Sequence, residues 1–525
     1  MRAGHGGISS VYGPGGGPFT GTAPDGAAAR ISRQERDCAN RRPWKTGIRA
    51  ALERNASDQR RALEGAGTRW SGTTGRLVTA PGQYRRPWCL APWSGVCRHV
   101  VSDSPRRAGP MAHIAFFILP AAGHVNPTLS VARELVARGH RVTYALSENY
   151  RERVLATGAE FLPYALDQDR FWDTMVPKQD AAEYTDQQEF VNMMTWMLDL
   201  TRQTLGDFER HFGGGDGDGD GRPDVFVCDP SSFWSGHILA AKWGVPVIRS
   251  TPTYVANEHW SLHPPVDTAE EQAEDPRTGA LFEAVAELLA EHRVEKSIGD
   301  FAAEVHSGPA LVYLPRAFQY AGDTFDEEVR FVGPCTSANS FHGEWEPPGT
   351  GRPLVLISLG TLYNKQPDFF RACVEAFRDT DWDVVVTHAG GVAEGELGDV
   401  PPHIRVYDFA PQGAVLAHAS LMINHGGTST VLQAVSEGVP VIAVPQMAEL
   451  HATATRAEQL GVGAKVLRKD VTPERLRETA LALTGSAEVR AAVARLRGEI
   501  EAAGGPAAAA DAVEALLVPA AAAAA

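Results

Sequence analysis

The pattern of apolar and polar residues predicts an alternation of short buried strands and helices. Residues 113–119 read HIAFFIL, a continuous apolar run typical of a strand buried on both faces of a parallel sheet. Thr128 can cap a helix over residues 129–138, which Gly139 would end. The next apolar run spans residues 141–146. This strand–helix–strand opening predicts a doubly wound α/β domain with right-handed crossovers.

The pattern recurs further along the chain. Residues 225–228, 236–243 and 246–250 repeat the strand, helix and strand of the opening. A second series follows a polar stretch that is rich in Gly and Pro and is typical of a linker. The elements predicted in it are residues 354–359, 369–377, 383–387, 404–407, 421–423 and 439–444. The predicted division is an N-terminal domain at 111–330, a linker at 331–350, a C-terminal domain at 351–517 and a disordered tail at 518–525.

The first 110 residues differ in composition from the remainder. They carry 18 Lys and Arg against 7 Asp and Glu, whereas the whole chain of 525 residues has a net charge of −15. They are rich in Gly, Pro and Arg and lack sustained periodicity, and Met111 begins the first strand. We expect residues 1–110 to be a disordered leader or a non-native extension. The alternative is a genuine basic tail. The segment does not resemble a signal peptide, because no apolar core precedes a cleavage site.

Charge and composition exclude several classes of function. The net charge of −15 argues against nucleic acid as a partner. No run approaches the roughly 18 apolar residues of a membrane span, so stable membrane insertion is not expected. The six Cys show neither metal-ligand spacing nor a disulfide framework, which favours the cytoplasm. Both a monomer and a homodimer are compatible with the sequence.

The segment 421–463 contains the strongest candidate binding motif. A short strand runs into the turn 424–427, which reads NHGG, and a predicted helix at 428–437 follows. Paired glycines let the backbone approach a ligand closely, and a helix N-terminus attracts anions. The motif therefore predicts a diphosphate site. Its candidate residues are His425, Gly427, Thr428, Ser429 and Thr430.

This segment resembles the donor-binding block of nucleotide-sugar glycosyltransferases of the plant UDP-glycosyltransferase and bacterial macrolide glycosyltransferase type. The resemblance extends upstream to DFAPQ at 408–412 and covers roughly residues 111–517. It implies the α/β GT-B architecture, in which two Rossmann-like domains face a cleft. It also implies that the helical stretch 473–517 crosses back onto the first domain. A UDP- or dTDP-sugar would be a co-substrate, with no cofactor and no metal ion.

The resemblance assigns roles to further donor-site residues. Phe409 stands where the family usually has Trp and would stack on the nucleobase, and Gln412 would reach the ribose. Gln433 replaces the ribose-binding Glu of plant members. Leu450 stands where many glucose-using members have Gln; an apolar side chain there suits a deoxysugar better than glucose, and the alternative is a local rearrangement. The implied donor residues outside the phosphate turn are Thr361, Phe409, Ala410, Gln412, Gln433, Glu449 and Leu450.

A histidine and an aspartate follow two predicted strands of the first domain. His124 comes after the strand at 113–119, and Asp229 comes after the strand at 225–228. Open α/β sheets bind ligands at the carboxyl ends of their strands. Inverting transfer needs a base, and a carboxylate would orient the imidazole. The resemblance makes His124 the base and Asp229 its partner; the alternatives are a loop cap and a helix N-cap.

Two further patterns in the sequence resemble ligand sites. Large apolar residues in the first half suit a pocket for a hydrophobic acceptor, although core packing is the alternative for each of them. The candidates are Trp172, Met193, Trp196 and Tyr254. The run 213–221, GGGDGDGDG, begins like a calcium loop but has Val227 at the twelfth position. It predicts a flexible surface loop.

The sequence therefore predicts a metal-independent, inverting glycosyltransferase that uses a UDP- or dTDP-sugar. The acceptor would be a hydroxyl of a hydrophobic small molecule, such as a macrolide, another polyketide or a flavonoid-like compound. The alternatives are a nucleotide-sugar epimerase of similar fold, a non-catalytic helper of a glycosyltransferase, and a lipid-carrier glycosyltransferase at a membrane. A basic apolar patch, which the last would need, is missing from residues 111–200.

Overall fold

The computed structural model describes residues 111–167, 170–171, 187–213, 221–231, 234–262, 276–336, 345–361 and 364–517. The predicted leader, the centre of the Gly- and Asp-rich run, the predicted tail and Trp172 lie outside these residues. Two parallel sheets, one in each half of the chain, form the framework of the described residues.

The N-terminal sheet has seven parallel strands in the order β3-β2-β1-β4-β5-β6-β7. The strands are β1 His113–Phe117, β2 Arg141–Ser147, β3 Glu160–Tyr164, β4 Val225–Cys228, β5 Val247–Thr251, β6 Ala310–Val312 and β7 Val329–Phe331. All five residues of β1 and all four of β4 are buried. This explains the apolar runs, because a central parallel strand is covered by helices on both faces.

The C-terminal sheet has six parallel strands in the order β10-β9-β8-β11-β12-β13. The strands are β8 Leu354–Ser358, β9 Asp383–Thr387, β10 Ile404–Tyr407, β11 Leu421–Asn424, β12 Val441–Ala443 and β13 Gly463–Lys465. Each sheet reverses its strand order once, at β1 and β4 in the first and at β8 and β11 in the second. Loops diverge at such points and leave a crevice for ligands.

Thirteen helices connect and cover the strands of the described residues. They are α1 Ala122–Ala137, α2 Arg151–Leu155, α3 Gln187–Gly213, α4 Ser235–Trp243, α5 Pro276–Glu291, α6 Ile298–His306, α7 Pro367–Phe377, α8 Gln412–Leu416, α9 Thr428–Ser436, α10 Ala448–Gln459, α11 Pro473–Gly485, α12 Ala487–Ala502 and α13 Gly505–Ala515. The helices predicted from the sequence are confirmed, with one substantial error in their bounds.

The error concerns α1, which was predicted to begin at residue 129 with Thr128 as its cap. The helix begins at Ala122 and contains Pro127. Thr128 lies inside it and donates its hydroxyl to the carbonyl of Val125 at 2.7 Å. Gly123 and Pro127 suggested a loop, but the helix includes both, although Pro127 removes one backbone donor from its second turn. His124 therefore lies on the first turn of a helix.

The last helix, α13, crosses back onto the N-terminal domain, as expected. Its residues Ala509, Ala510 and Val513 are fully buried in the same cluster as β1 and α1. At the edge of this contact, Arg138 donates to Asp511 at 2.6 Å and to Glu514 at 2.8 Å. The chain thus links the two sheets twice, once between β7 and β8 and once between α12 and α13.

One glycine allows α4 to lie close to the strands that precede the site. A Cβ on Gly236 would lie 2.7 Å from the sulfur of Cys228 and 2.9 Å from the ring of Phe117. Both of these side chains are buried. The close approach of α4 to β1 and β4 is therefore possible only without a side chain at this position.

We expect Gly236→Ala to lower the free energy of unfolding by about 1–3 kcal/mol, because it overpacks the core beneath α4. Urea denaturation at equilibrium measures this change. The matched control is Gly498→Ala in α12, where no atom lies within 4 Å of the added Cβ. The control should gain about 0.5–1 kcal/mol, since Ala favours the helix over Gly. Equal midpoints for the two variants would contradict the close-packing argument.

Candidate active site

His124 and Asp229 meet where the N-terminal sheet reverses its strand order. His124 lies on the first turn of α1, which follows β1, and Asp229 directly follows β4. Nδ1 of His124 lies 2.5 Å from Oδ2 of Asp229, whose side chain is fully buried. The other carboxylate oxygen accepts from the backbone N–H of Ser231 at 2.8 Å. The carboxylate is therefore fixed, and it leaves Nε2 of the imidazole available for a substrate.

The environment of His124 favours its protonated form. Burial alone lowers the pKa of the imidazole, but the charge and hydrogen bond of Asp229 outweigh burial, with a further contribution from the charge of Glu449. The net result is a pKa above the ordinary value of 6.5. The ring can thus accept a proton and remain stabilised as an imidazolium beside a carboxylate.

Glu449 belongs to the other domain, on the first turn of α10. Its charge contributes to the raised pKa of His124 in the N-terminal domain. The hydroxyl of Thr428 donates to Glu449 at 3.3 Å and lies 2.9 Å from the hydroxyl of Thr453. These contacts connect the start of α9, which follows the predicted phosphate turn, with the start of α10.

The phosphate turn leads from β11 into α9, at the strand-order reversal of the C-terminal sheet. Asn424 accepts from the N–H of Gly426 at 2.6 Å, and Gly426 has φ +90°. The ring of His425 packs between two glycines: a Cβ on Gly360 or Gly427 would lie 2.9 or 2.7 Å from it. Gly427 precedes α9, whose first N–H groups have no helical partner. This geometry suits an anion.

Burial lowers the pKa of His425 to about 4, so the ring is neutral near pH 7. Its Nδ1 is buried and has no hydrogen-bond partner among the described residues. A neutral imidazole carries one N–H and can donate it to a phosphate oxygen. The site therefore offers neutral donors and a helix terminus for a diphosphate. The described part of the chain contains no cluster of three or more His, Cys, Asp or Glu side chains that could hold a metal ion.

The remaining donor candidates lie around this turn with different exposures. Phe409 is 51% exposed. Gln412 donates to Gln433 at 2.6 Å, so these two side chains are paired. Leu450, in contrast, is buried. Thr361 is exposed, Ser429 and Thr430 are partly buried, and Ala410 is buried.

The acceptor candidates among the described residues pack in hydrophobic clusters. Trp196 is 4% exposed and belongs to the N-terminal core, against which Met193 packs. Tyr254 is buried in a cluster that spans residues of both domains. Trp196 also lines a cavity of about 620 Å³ beside α3 and α5, but neither His124 nor Asp229 lines it. This cavity therefore gives no evidence for the acceptor position.

Sequence reasoning overlooked two residues of the site. Gly360 follows β8 and makes room for the His425 ring. Thr453 links Thr428 to α10. Each had a signal: a glycine after an apolar strand marks close approach, and Thr453 lies four residues after Glu449 on one helix face.

The fold and the paired sites define an α/β enzyme with the GT-B architecture, and comparisons with known proteins agree. Residues 371–516 match the family model described as erythromycin biosynthesis protein CIII-like, C-terminal domain. The demethyllactenocin mycarosyltransferase of Streptomyces fradiae is 50% identical over 443 residues, which cover 84% of this chain and 91% of the relative. The oleandomycin glycosyltransferase of Streptomyces antibioticus is 35% identical over 408 residues, covering 77% and 91%.

Among solved structures, the calicheamicin glycosyltransferase CalG4 matches with a TM-score of 0.65 and 33% identity, covering 78% of this chain and 99% of that one. The chain therefore belongs to the family of macrolide and related natural-product glycosyltransferases. It is an inverting glycosyltransferase that moves a sugar from a nucleotide-sugar to a small-molecule acceptor. The comparisons do not support the epimerase or the helper protein.

No helix in the described ranges is long and apolar enough to cross a membrane.

We expect Asp229→Asn to lower the pKa of His124 below 6.5. The variant removes the charge that raises this pKa, whereas burial of the ring, which lowers it, remains. NMR titration of the His124 ring in the free enzyme measures the shift. Asp511→Asn is the matched control, because Asp511 pairs with Arg138 and does not touch His124. If His124 titrates identically in all three proteins, the electrostatic account is wrong.

Proposed function

We propose that His124 is the general base of sugar transfer, with Asp229 as its orienting partner. The observation that carries this proposal is the 2.5 Å hydrogen bond between them, which occupies Nδ1 of the imidazole and leaves Nε2 for a substrate. Nε2 takes the proton of an acceptor hydroxyl while that oxygen attacks the anomeric carbon. The bond from this carbon to the diphosphate breaks, and the nucleoside diphosphate leaves with the electron pair.

The leaving group is stabilised by the phosphate turn of the C-terminal domain. The N–H groups at the start of α9 and the hydroxyls beside them face the diphosphate, and neutral His425 donates a further hydrogen bond. Charge that develops on the bridging oxygen is thus met by fixed dipoles, which is usually the largest source of rate enhancement. These donors support a reaction that needs neither a metal ion nor a cofactor.

We propose that Phe409 stacks on the nucleobase and that paired Gln412 and Gln433 contact the nucleoside sugar. The donor would be a UDP- or dTDP-sugar. Tyr254 and the neighbouring aromatic residues would line the acceptor side, and the relatives named for demethyllactenocin and oleandomycin favour a macrolide acceptor. All these residues belong to one chain, which fits a monomer or a homodimer. Cys228, Cys335 and Cys373 are free and buried, as expected in the cytoplasm.

We propose further that the donor carries a deoxysugar. Leu450 places a buried, apolar side chain beside the phosphate turn, at the position where the family resemblance implies Gln for glucose. An apolar side chain cannot hydrogen-bond a sugar hydroxyl, so a sugar that lacks one loses less there. The mycarosyl group named for the relative from Streptomyces fradiae is therefore the first sugar to test.

We expect His124→Ala to reduce sugar transfer by about 10²–10⁴-fold, the usual contribution of a positioned general base. Affinity for UDP and dTDP should stay close to that of the unaltered enzyme, because the phosphate turn lies in the other domain. Transfer is followed by the mass of the glycosylated product, and nucleotide affinity by calorimetry. His306→Ala serves as a control, since this exposed residue ends α6. Turnover of His124→Ala at the unaltered rate would disprove the base assignment.

We expect Leu450→Gln to lower the ratio of kcat/KM for a dTDP-deoxysugar to that for UDP-glucose by about tenfold, within the usual range for one altered pocket contact. A ratio is measured because it does not depend on the folded fraction of the variant. Leu481→Gln is the matched control, as Leu481 is 56% exposed on α11. An unchanged ratio for Leu450→Gln would remove Leu450 from sugar selection.

A further inference from the structure

Helix α10 presents one continuous face to the N-terminal domain. Glu449, Ala452, Thr453 and Arg456 are spaced by three or four residues and therefore share one side of the helix. Glu449 lies at the His124 end of this face. Seven residues separate it from Arg456, or roughly 10 Å at the helical rise of 1.5 Å per residue. A contact at Arg456 can thus set the position of Glu449, because a helix of this length behaves as a rigid rod.

Arg456 holds three consecutive backbone carbonyls of the N-terminal domain. Its guanidinium donates to Ala317 at 2.8 Å, to Phe318 at 3.1 Å and to Gln319 at 3.4 Å. The same group lies over the ring of Tyr320, 5.1 Å from its centroid. Arginine is suited to such a site, since its planar donors engage several acceptors at once and its face stacks on aromatic rings.

A second hydrogen bond supports the same contact from the opposite direction. The hydroxyl of Tyr320 donates to the carbonyl of Ala452 at 2.9 Å. The segment that carries these groups is itself anchored: the buried side chain of Gln319 exchanges hydrogen bonds with the backbone of Val255, at 2.8 and 3.2 Å. Phe318 is fully buried and stacks on Tyr254. Helix α10 is thus fastened to the core of the N-terminal domain.

We propose that Arg456 is a positioning residue for sugar transfer, which holds α10 at the depth where Glu449 faces His124 across the crevice. The contact works through the helix, and Arg456 itself touches neither donor nor acceptor. The proposal rests on the proposed function to the extent that His124 is the base. Its physical content is separate, however, because the titration of His124 can be measured without any turnover.

The titration of His124 responds to the position of Glu449, because the carboxylate charge raises the pKa of the ring. Asp229 and Glu449 are the charged groups that act on the ring. Tyr144 in β2 lies in the field of Asp229, and Tyr254 lies in the field of Glu449 and Arg456. Burial raises the pKa of both tyrosines, so they stay neutral below pH 9. His237 in α4 also lies near Asp229, and burial lowers its pKa to about 3.

The sign of the expected change follows from these groups. Glu449 raises the pKa of His124, so withdrawal of Glu449 from the crevice lowers it. We expect Arg456→Gln to shift the NMR titration of His124 to lower pH, in the same direction as Glu449→Gln. In the double variant the Arg456 change should add no further shift. In steady state, kcat/KM should fall by about 10–100-fold, as for a displacement near 1 Å. Affinity for UDP should change less than about threefold, since UDP lacks the transferred sugar that Glu449 is proposed to face.

Two further variants separate positioning from general stability. Arg477→Gln is the matched control: Arg477 donates to the carbonyls of Ala376 and Glu375, within the C-terminal domain alone. It should leave the His124 titration unchanged. Tyr320→Phe removes only the bond to Ala452 and keeps the ring beneath Arg456. It should shift the titration in the same direction by a smaller amount.

An unchanged His124 titration in Arg456→Gln would overturn the proposal, as would a shift that adds fully to that of Glu449→Gln. These outcomes are distinct from a failure of the proposed function. Active His124→Ala enzyme would remove the base assignment and leave the titration result standing. Inactive His124→Ala enzyme with an unshifted titration in Arg456→Gln would remove only the role of Arg456.

Discussion

The site depends on a constraint of parallel sheets: loops from two neighbouring strands diverge only where the strand order reverses. β1 and β4 are neighbours at such a point, with Phe117 opposite Cys228 in register. Asp229 directly follows β4, and His124 lies on the first turn of the helix that follows β1. This register allows the two side chains to meet. β8 and β11 satisfy the same constraint in the other sheet, with Ser358 opposite Asn424, and place Gly360 beside His425. The positions of the candidate site residues in both domains therefore follow from strand pairing.

Burial lowers the pKa of both histidines at these points, but their net pKa shifts are opposite. At His425 nothing compensates for it, so the pKa falls to about 4 and the ring remains a neutral donor. At His124 two carboxylates compensate, so the pKa rises above its ordinary value. In the proposed mechanism, one residue type therefore serves as a hydrogen-bond donor toward phosphate and as a proton acceptor toward an alcohol. The difference lies in the neighbouring charges rather than in the imidazole.

The sequence predicted the central strands because both of their faces are covered, which makes them continuous apolar runs. It did not predict β3, β6, β7 and β13, since three of these have only three residues and all four lie at an edge of their sheet or next to one. The predicted start of α1 was wrong, because Gly123 and Pro127 are typical of a loop although the helix includes them. The candidate site residues that follow strands, such as His124 and Asp229, could be predicted because they come soon after apolar runs in the sequence. The Arg456 contact could not, because 138 residues separate it from Phe318 and only the arrangement of the domains brings them together.

The return of α13 to the first sheet gives the molecule a particular mechanical character. Two covalent crossings join the domains, and the second ends in a buried helix with ion pairs at its rim. Because the chain crosses between the domains twice, one domain cannot rotate against the other without moving both connections. Relative motion of the two halves should accordingly be more restricted than with a single linker, which favours a constant alignment of the imidazole and the phosphate turn.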